Sequence, residues 1–378
     1  MRVLHLSDSS LPDWRIEKAA LSSKKAGHDV YFAGLTPHLK YKRDIFLRTF
    51  SLNWNPKSRY RLPYEWHSLK KQMRRVFREV NPDIIHAHNV FSAKMAKEIG
   101  GYPMVYDNHE YWSKFVIYQY ENSEYTFKDK NNIEKIKRNI TTFGNTLRSR
   151  KRKMWIKWEL DIVSDVPTLV PSNSIRLELS NISRDVYVVP NFPLENEFEA
   201  IVEPPYHEKI SSVYAGTPAF RGYETPIKNI DGFIDLFNNN SIGQLNIIGW
   251  NSNDTEFVKY HGYLDREQMF TEMSRNSLGF IPWKKHPFHP YCSPNKAYEY
   301  AHAGLVVFCT NSIQPIFEEL KENVVGFDNY ETMIPKIKEL ITAPEIVYKK
   351  QLQTFHFAHE NLVWEKHENK IFEAYDKA

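Results

Sequence analysis

Short apolar runs of strand length alternate with helical patterns from the first residue, and no other feature limits the possible folds so strongly. "RVLHLSD" opens the chain, a helical pattern over 15–26 follows, and "DVYFAG" comes next. Further on, "PDIIHAHN" leads through a helix near 92–99 to "PMVYDNHE". Strand, helix, strand in this rhythm predicts βαβ units, in which a parallel sheet carries helices on both faces. The rhythm restarts in the second half. There "ISSVYAGT", "LNIIGW", "VKYHGYL", "SLGFIPW", "GLVVFCT" and "VVGFDN" read as strands, separated by helical stretches at 228–238, 265–275 and 312–320. Two doubly wound sheets are expected, and 378 residues are enough for two separate cores.

The stretch "PNFPLENEFEAIVEPPYHEK" (190–209) is rich in Pro and Glu and has neither helical nor strand periodicity, so it reads as a linker with a domain boundary near 200. The end, "TFHFAHENLVWEKHENKIFEAYDKA", is an uncapped helical pattern. Within 102–164 a helix is expected from about 145, and 120–140 reads as a loop.

Two cysteines, Cys292 and Cys309, give neither a disulfide framework nor a zinc spacing, which fits a reducing, cytoplasmic setting. The first strand is too short an apolar run for a signal peptide, and no run reaches the roughly 20 apolar residues of a membrane-spanning helix. The net charge of +4 is unevenly spread. Segment 57–80 holds eight Lys/Arg against two Glu, and 148–159 holds six against one, which favours phosphate-bearing partners. The pattern "LKKQMRRVFREV" is basic and amphipathic, and "RKRKMWIKW" interleaves Trp155 and Trp158 with cations. Both read either as solvated helix faces or as peripheral attachment to an anionic membrane surface.

Candidate chemistry concentrates where strands end. In "SPNKAYEYAHAGLVVFC" (293–309), Ser293 reads as an N-cap and Pro294 as the first helical residue, leaving the amides of Asn295 and Lys296 free for an anion at the positive end of the helix. Glu299 follows about one turn later on the same face. A nucleotide has that shape, with phosphate at one end and a ribose diol that suits a carboxylate acceptor at the other. A capped surface helix with a Lys–Glu pair fits equally well. "YAGTPAFRGYE" (214–224) ends a strand at Gly216 and offers Arg221 beside Gly222, either as a phosphate fork or as a solvated turn. "VYDNHEYW" (105–112) puts Asp107, His109 and Glu110 at the carboxyl end of a strand, suited to sugar hydroxyls, to proton transfer or to a structural turn. His86 and His88 share one strand face without a third ligand, and His286 and His289 lie in a Pro-rich loop, so no metal site is expected. No Walker loop, G-x-G-x-x-G after the first strand, H-E-x-x-H, G-x-S-x-G or D-x-D occurs. Metal-independent chemistry is favoured.

With these pieces in order, the chain resembles a GT-B glycosyltransferase of retaining family 4. The likeness runs through "MRVLHLSD", "NPDIIHAHN", "PMVYDNHE", "LVPSNSIRLEL", "VYVVPNFP", "YAGTPAFRG", "LNIIGW", "VKYHGYL" and "SPNKAYEYAHAGLVV". It implies two Rossmann-like domains facing across a cleft: 1–200 for the acceptor, 201–354 for the nucleotide-sugar donor, and 355–378 as a helix returning to the first. It also implies that Glu299 binds the donor ribose, Arg221 neutralises the diphosphate, and His109 lies near the transferred sugar. Ser293, Asn295, Lys296, Gly216 and Lys228 would complete the donor site, and Ser9, Arg15 and Asp107 the acceptor side. Two positions depart from the family: Tyr291 stands where a Glu is usual, and Thr217 where an Arg is usual. Lys228 or Lys296 would have to supply the missing cation.

The expected activity is transfer of a hexose-type sugar to a glycan or lipid-linked acceptor, with no metal cofactor and no protein nucleophile. A nonhydrolysing sugar-nucleotide epimerase and a noncatalytic partner subunit share the architecture and remain open. Nucleic acid is not an expected partner, because no reading module is visible.

Overall fold

The computed structural model describes residues 1–38, 44–55, 63–118, 134–216, 226–240 and 242–378; the side chains of 63, 134–148 and 226 are not described. Arg221 and Thr217 lie outside the described residues, as do 57–62 and most of 120–140.

The first sheet holds seven parallel strands: β1 (Arg2–Ser7), β2 (Asp29–Gly34), β3 (Arg48–Ser51), β4 (Ile84–His88), β5 (Met104–Asp107), β6 (Thr168–Val170) and β7 (Val186–Val188). Their order across the sheet is β3-β2-β1-β4-β5-β6-β7. The second sheet holds β8 (Ser211–Ala215), β9 (Gln244–Ile248), β10 (Val258–Tyr260), β11 (Leu278–Ile281), β12 (Val306–Thr310) and β13 (Val324–Phe327), in the order β10-β9-β8-β11-β12-β13. Each is a doubly wound, Rossmann-like sheet. The order reverses between β1 and β4 in one and between β8 and β11 in the other, and at such switch points ligands bind beyond the carboxyl ends of the strands.

Both faces of each sheet are covered, so the strands are apolar on both sides rather than alternating with polar residues. In the second sheet Tyr214, Leu245, Ile247, Phe280 and Phe308 pack one face with Phe233 and Phe237. Their strand neighbours Val213, Ile248, Ile281, Val307 and Cys309 pack the other with Tyr298, Tyr300 and Ala301. Gly279 is required by that packing, because a Cβ there would stand 2.6 Å from the Tyr300 ring.

The chain divides into one unit of Met1–Val189 with His367–Ala378, and another of Pro190–Lys366. The division therefore falls about ten residues before the boundary expected near 200. The reason lies in 190–209: Phe192, Leu194 and Phe198 are buried, and Phe192 joins the core of the second unit. The expected terminal helix over 355–378 is also corrected. The helix Pro344–Asn361 ends, and a new one, Asn369–Lys377, begins. Leu362, Val363 and Trp364 are consecutive and all buried, which one helical stripe cannot accomplish.

The two basic segments pack their apolar residues inward. In the helix Pro63–Val80, Trp66, Leu69, Met73, Val76, Phe77 and Val80 are buried, while Lys71, Arg74, Arg75 and Arg78 are exposed. In the helix Glu134–Val163, Trp155 and Trp158 are 1% and 4% exposed. Trp158 stacks on Trp66 at 5.4 Å, and Trp155 meets Phe91 and Trp112 edge-on. These tryptophans are core residues, and the expectation that they line a membrane-facing surface is withdrawn. No helix among the described residues is long and apolar enough to cross a membrane.

Candidate functional site

Parallel pairing at the first switch point sets His5 beside His86, Ser7 beside His88, and His88 beside Asp107. Residues two apart on a strand share a face, so three imidazoles gather on one side of the sheet. His5, His86 and His88 are wholly buried, with His86 stacked 4.8 Å from His5 and 4.4 Å from His88.

Asp107 is the hub of this cluster and is 1% exposed. Its Oδ1 accepts from Arg15 Nε at 2.8 Å and lies 2.7 Å from Arg15 Nη2, while Nη1 donates to the Val189 carbonyl at 2.9 Å. Its Oδ2 lies 3.3 Å from both His86 Nε2 and His88 Nδ1, and 3.6 Å from His109 Nε2. Burial alone would push the carboxyl up, but the Arg15 charge and the hydrogen bonds from the histidines outweigh it and hold Asp107 well below the usual carboxylate range.

An ionised Asp107 can only accept, so His86 turns an N–H toward it. His86 donates from Nε2 and accepts the Tyr375 hydroxyl on Nδ1 at 2.8 Å; that hydroxyl is also 3.2 Å from Ser23 Oγ. His88 Nδ1 lies between Asp107 Oδ2 at 3.3 Å and His109 Nε2 at 3.0 Å, and its Nε2 is 3.0 Å from His5 Nδ1; the buried Nε2 of His5 has no hydrogen-bond partner among the described residues. Burial pushes all three imidazoles down, so they stay neutral. His109, 3.0 Å from His88 Nδ1, is the partly exposed end of the network.

Arg15 and Asp107 were expected on the acceptor side. In the structure they bind each other inside the unit, with His109 Nε2 3.6 Å from Asp107 Oδ2. Ser9 is half-buried, its carbonyl accepting from Leu35 at 3.0 Å.

Two groups here have metal-ligand composition. In His5–His86–His88 the rings are nearly parallel, so their in-plane lone pairs do not converge on one point. In His88–Asp107–His109 the separations of 3.0 to 3.6 Å suit a metal, but a dication would sit against the carboxylate that already holds Arg15. The arrangement is a hydrogen-bonded network in which His5, His86 and His88 are held neutral around one anion.

The loop that carries His109 is held from below by Glu159, which is wholly buried. Its Oε1 accepts from Tyr106 at 3.0 Å, Asn108 at 2.9 Å and the Trp112 amide at 3.1 Å, and its Oε2 from the Ser113 amide at 2.6 Å. One carboxylate thus caps the helix Trp112–Tyr118 and fixes the turn before it.

In the second unit, the helix Asn295–His302 starts one residue later than expected. Ser293 is not its N-cap: Ser293 Oγ is 2.8 Å from the Tyr298 hydroxyl, and Pro294 precedes the helix with no side-chain cap. The amides of Asn295 and Lys296 have no acceptor among the described residues.

Lys296 sits over the Tyr214 ring at 4.5 Å and the Trp283 ring at 5.7 Å, and Lys228 approaches the other reach of Trp283 at 5.8 Å. Gly216 makes room, since a Cβ there would stand 2.7 Å from Lys296 Nζ. No carboxylate among the described residues pairs with Lys296. Burial first, and then the Lys228 charge, lower its pKa to about 7 against the opposing pull of Glu299.

Glu299 is 7% exposed, and its Oε1 accepts from Arg266 Nη1. Structure therefore brings Gly216, Lys228, Lys296, Asn295 and Glu299 to one strand-end region, with Ser293 turned to Tyr298. Sequence reasoning missed His5, Glu159 and Arg266. His289, one of the two loop histidines weighed as ligands, is buried between Ser312 Oγ at 2.6 Å and the Ile227 carbonyl at 2.7 Å.

The family model described as Glycosyltransferase Family 4 matches residues 19–192. No curated protein matches the chain. Among solved structures, sucrose-phosphate synthase from Thermosynechococcus elongatus is 13% identical at a TM-score of 0.72, covering 100% of this chain and 98% of that one. HepE of Anabaena, in complex with UDP-glucose, is 12% identical at 0.69, covering 100% of both chains. WaaG, a glycosyltransferase involved in lipopolysaccharide biosynthesis, is 10% identical at 0.63, covering 98% of this chain and 99% of that one. These structural likenesses are of fold. Residues 19–192 are thus similar to Glycosyltransferase Family 4, and the chain as a whole has the two-sheet GT-B fold of these structures.

Proposed function

We propose that the chain moves a hexose-type sugar, with retention of configuration and without a metal ion, from a nucleoside diphosphate donor to a glycan or lipid-linked acceptor. The observation that carries this reading is the start of the helix Asn295–His302, where two amides without an acceptor and a ring-covered Lys296 without a carboxylate partner, among the described residues, precede Glu299 by about one turn. The amides and ammonium suit the diphosphate, and the carboxylate suits the ribose diol. The complexes of Anabaena HepE with UDP and UDP-glucose support a donor of this class.

In the reaction the bond between the anomeric carbon and the leaving phosphate oxygen breaks, and a bond to the acceptor oxygen forms on the same face. The acceptor proton passes to the departing phosphate. Charge growing on that phosphate would be stabilised by Lys296, Lys228 and the amides, with Arg221 added from the segment outside the described residues; one preorganised donor is worth about 3 kcal/mol. His109, oriented through Asp107, would contact the transferred sugar. The exposed lysines and arginines at 71–78 and 150–157 suit a phosphate-bearing acceptor, drawn by charge rather than by the buried tryptophans.

The test is an NMR transfer assay in chelator-treated buffer, with a panel of nucleotide sugars and both neutral and lipid-diphosphate acceptors. Release of nucleoside diphosphate with a product of the donor's anomeric configuration is expected, and the KM for the lipid-diphosphate acceptor should rise with salt. An inverted product overturns the retaining mechanism. Loss of turnover restored only by a divalent cation overturns metal independence.

A further inference from the structure

Arg266 occupies a place that the donor reading does not explain. It opens the helix Arg266–Ser274, 33 residues before Glu299 in sequence, yet its guanidinium is 14% exposed and reaches Glu299 directly. The guanidinium is itself anchored. Its Nε donates to Glu197 Oε1 at 2.9 Å, the other oxygen of Glu197 accepts the Leu194 amide at 2.9 Å, and the cation lies 4.9 Å from the centre of the Phe270 ring.

The cluster therefore holds one cation between two carboxylates, all three largely buried. Glu197 is already fixed by the backbone, so it supports the cation from one side only. Glu299 takes Nη1 with a single oxygen, Oε1, and its Oε2 has no partner among the described residues. Such a clamp fixes the carboxylate's rotamer and leaves one oxygen without a donor among the described residues. A carboxylate that must accept from two neighbouring hydroxyls needs that set-up, since an unclamped glutamate would pay rotamer entropy on binding. The two carboxylates also hold the proton of the guanidinium more tightly than usual, so the clamp stays charged at any working pH.

We propose that Arg266, anchored by Glu197, is a positioning residue that presents Glu299 to the ribose hydroxyls of the donor. This inference rests on the donor-site reading and adds to it the residue that sets ribose recognition. Arg266 touches Glu299 and not the reacting atoms, so its replacement should change ribose selectivity before it changes anything else.

The experiment compares UDP, GDP and ADP with their 2′,3′-dideoxy forms by calorimetry, on the full chain and on Arg266→Met and Arg266→Lys. Thermal unfolding of each variant checks that it is folded. In the wild type the preferred ribonucleotide should bind about 30-fold more tightly than its dideoxy form, the scale of hydrogen bonds to a charged acceptor. Arg266→Met should bring that ratio to within a few-fold of one, with the dideoxy affinity nearly unchanged. Arg266→Lys, which keeps the charge but cannot fork to both carboxylates, should fall between. A folded variant that keeps the wild-type ratio overturns the positioning role and leaves the donor site intact. A wild type that binds a ribonucleotide and its dideoxy form equally overturns the ribose contact of Glu299 itself. Binding of none of the three nucleotides overturns the donor reading, and the inference with it.

Discussion

Lys296→Met lowers turnover about 10²- to 10³-fold, the cost of removing one preorganised donor from a developing oxyanion. Lys296 is a ring-covered cation beside Gly216, just past β8, and it stands beside two amides that have no acceptor among the described residues. Its pKa of about 7 gives the prediction a second, independent readout. In the free protein the ammonium loses its proton as the pH rises through about 7, whereas a bound diphosphate favours the charged form. Binding of a nucleotide sugar at pH 8 should therefore take up close to one proton, and affinity should fall by up to tenfold per pH unit above 7. Calorimetry in two buffers of different ionisation enthalpy measures the uptake. Lys296→Met should abolish both uptake and pH dependence, and Lys296→Arg should abolish the pH dependence while keeping affinity at high pH. Binding without proton uptake in the wild type would mean that the diphosphate does not reach Lys296.

Asp107→Asn should destabilise the unit that contains it by about 3–5 kcal/mol, because it leaves the buried Arg15 guanidinium without its anion. Denaturant unfolding measures this, and adding Arg15→Met should recover part of the loss, since the stranded charge goes with it. The wild type has two pH windows of opposite chemical origin and the same sign. Asp107 has a depressed pKa, so its contribution is complete above the unfolded value of about 4 and is lost as pH falls below it. His5, His86 and His88 are held neutral by burial, so the unfolded chain takes up protons below about 6.5 that the folded chain does not. Stability should then fall on acidification by about 1.4 kcal/mol per pH unit for each histidine that stays neutral. A stability flat between pH 7 and 5 would contradict the neutral network. Retention of wild-type turnover by a folded Asp107→Asn variant would contradict the orientation of His109 through Asp107.

Much of the fold was legible because buried parallel strands are nearly continuous apolar runs, and "DVYFAG" and "GLVVFCT" declare themselves without knowledge of their neighbours. Pairing is another matter. His5 sits inside an apolar run that names it a core residue, and only the β1–β4 register turns it into a third imidazole beside His86. The same holds for Arg266 and Glu299, whose carbon stems come from helices separated by a strand and a long loop. Charge counting misled at 148–159, where the cations are real but Trp155, Trp158 and Glu159 between them point into the core. Helix periodicity separates such faces only when the packing partner is known. Ser293 illustrates a local limit: Ser-Pro reads as cap and first turn, but the buried Tyr298 hydroxyl one turn later competes for the Ser293 side chain and wins.

The central claim is that the helix Asn295–His302 holds a nucleotide through Glu299. The most direct measurement is calorimetric titration of UDP, GDP, ADP, dTDP and CMP into metal-free wild type and Glu299→Ala. The account predicts that one nucleoside diphosphate binds selectively and that Glu299→Ala, still folded, weakens it by about 30-fold or more, the scale of a lost charged acceptor. Equal binding of that nucleotide by wild type and variant, or binding of none of the five, would contradict it.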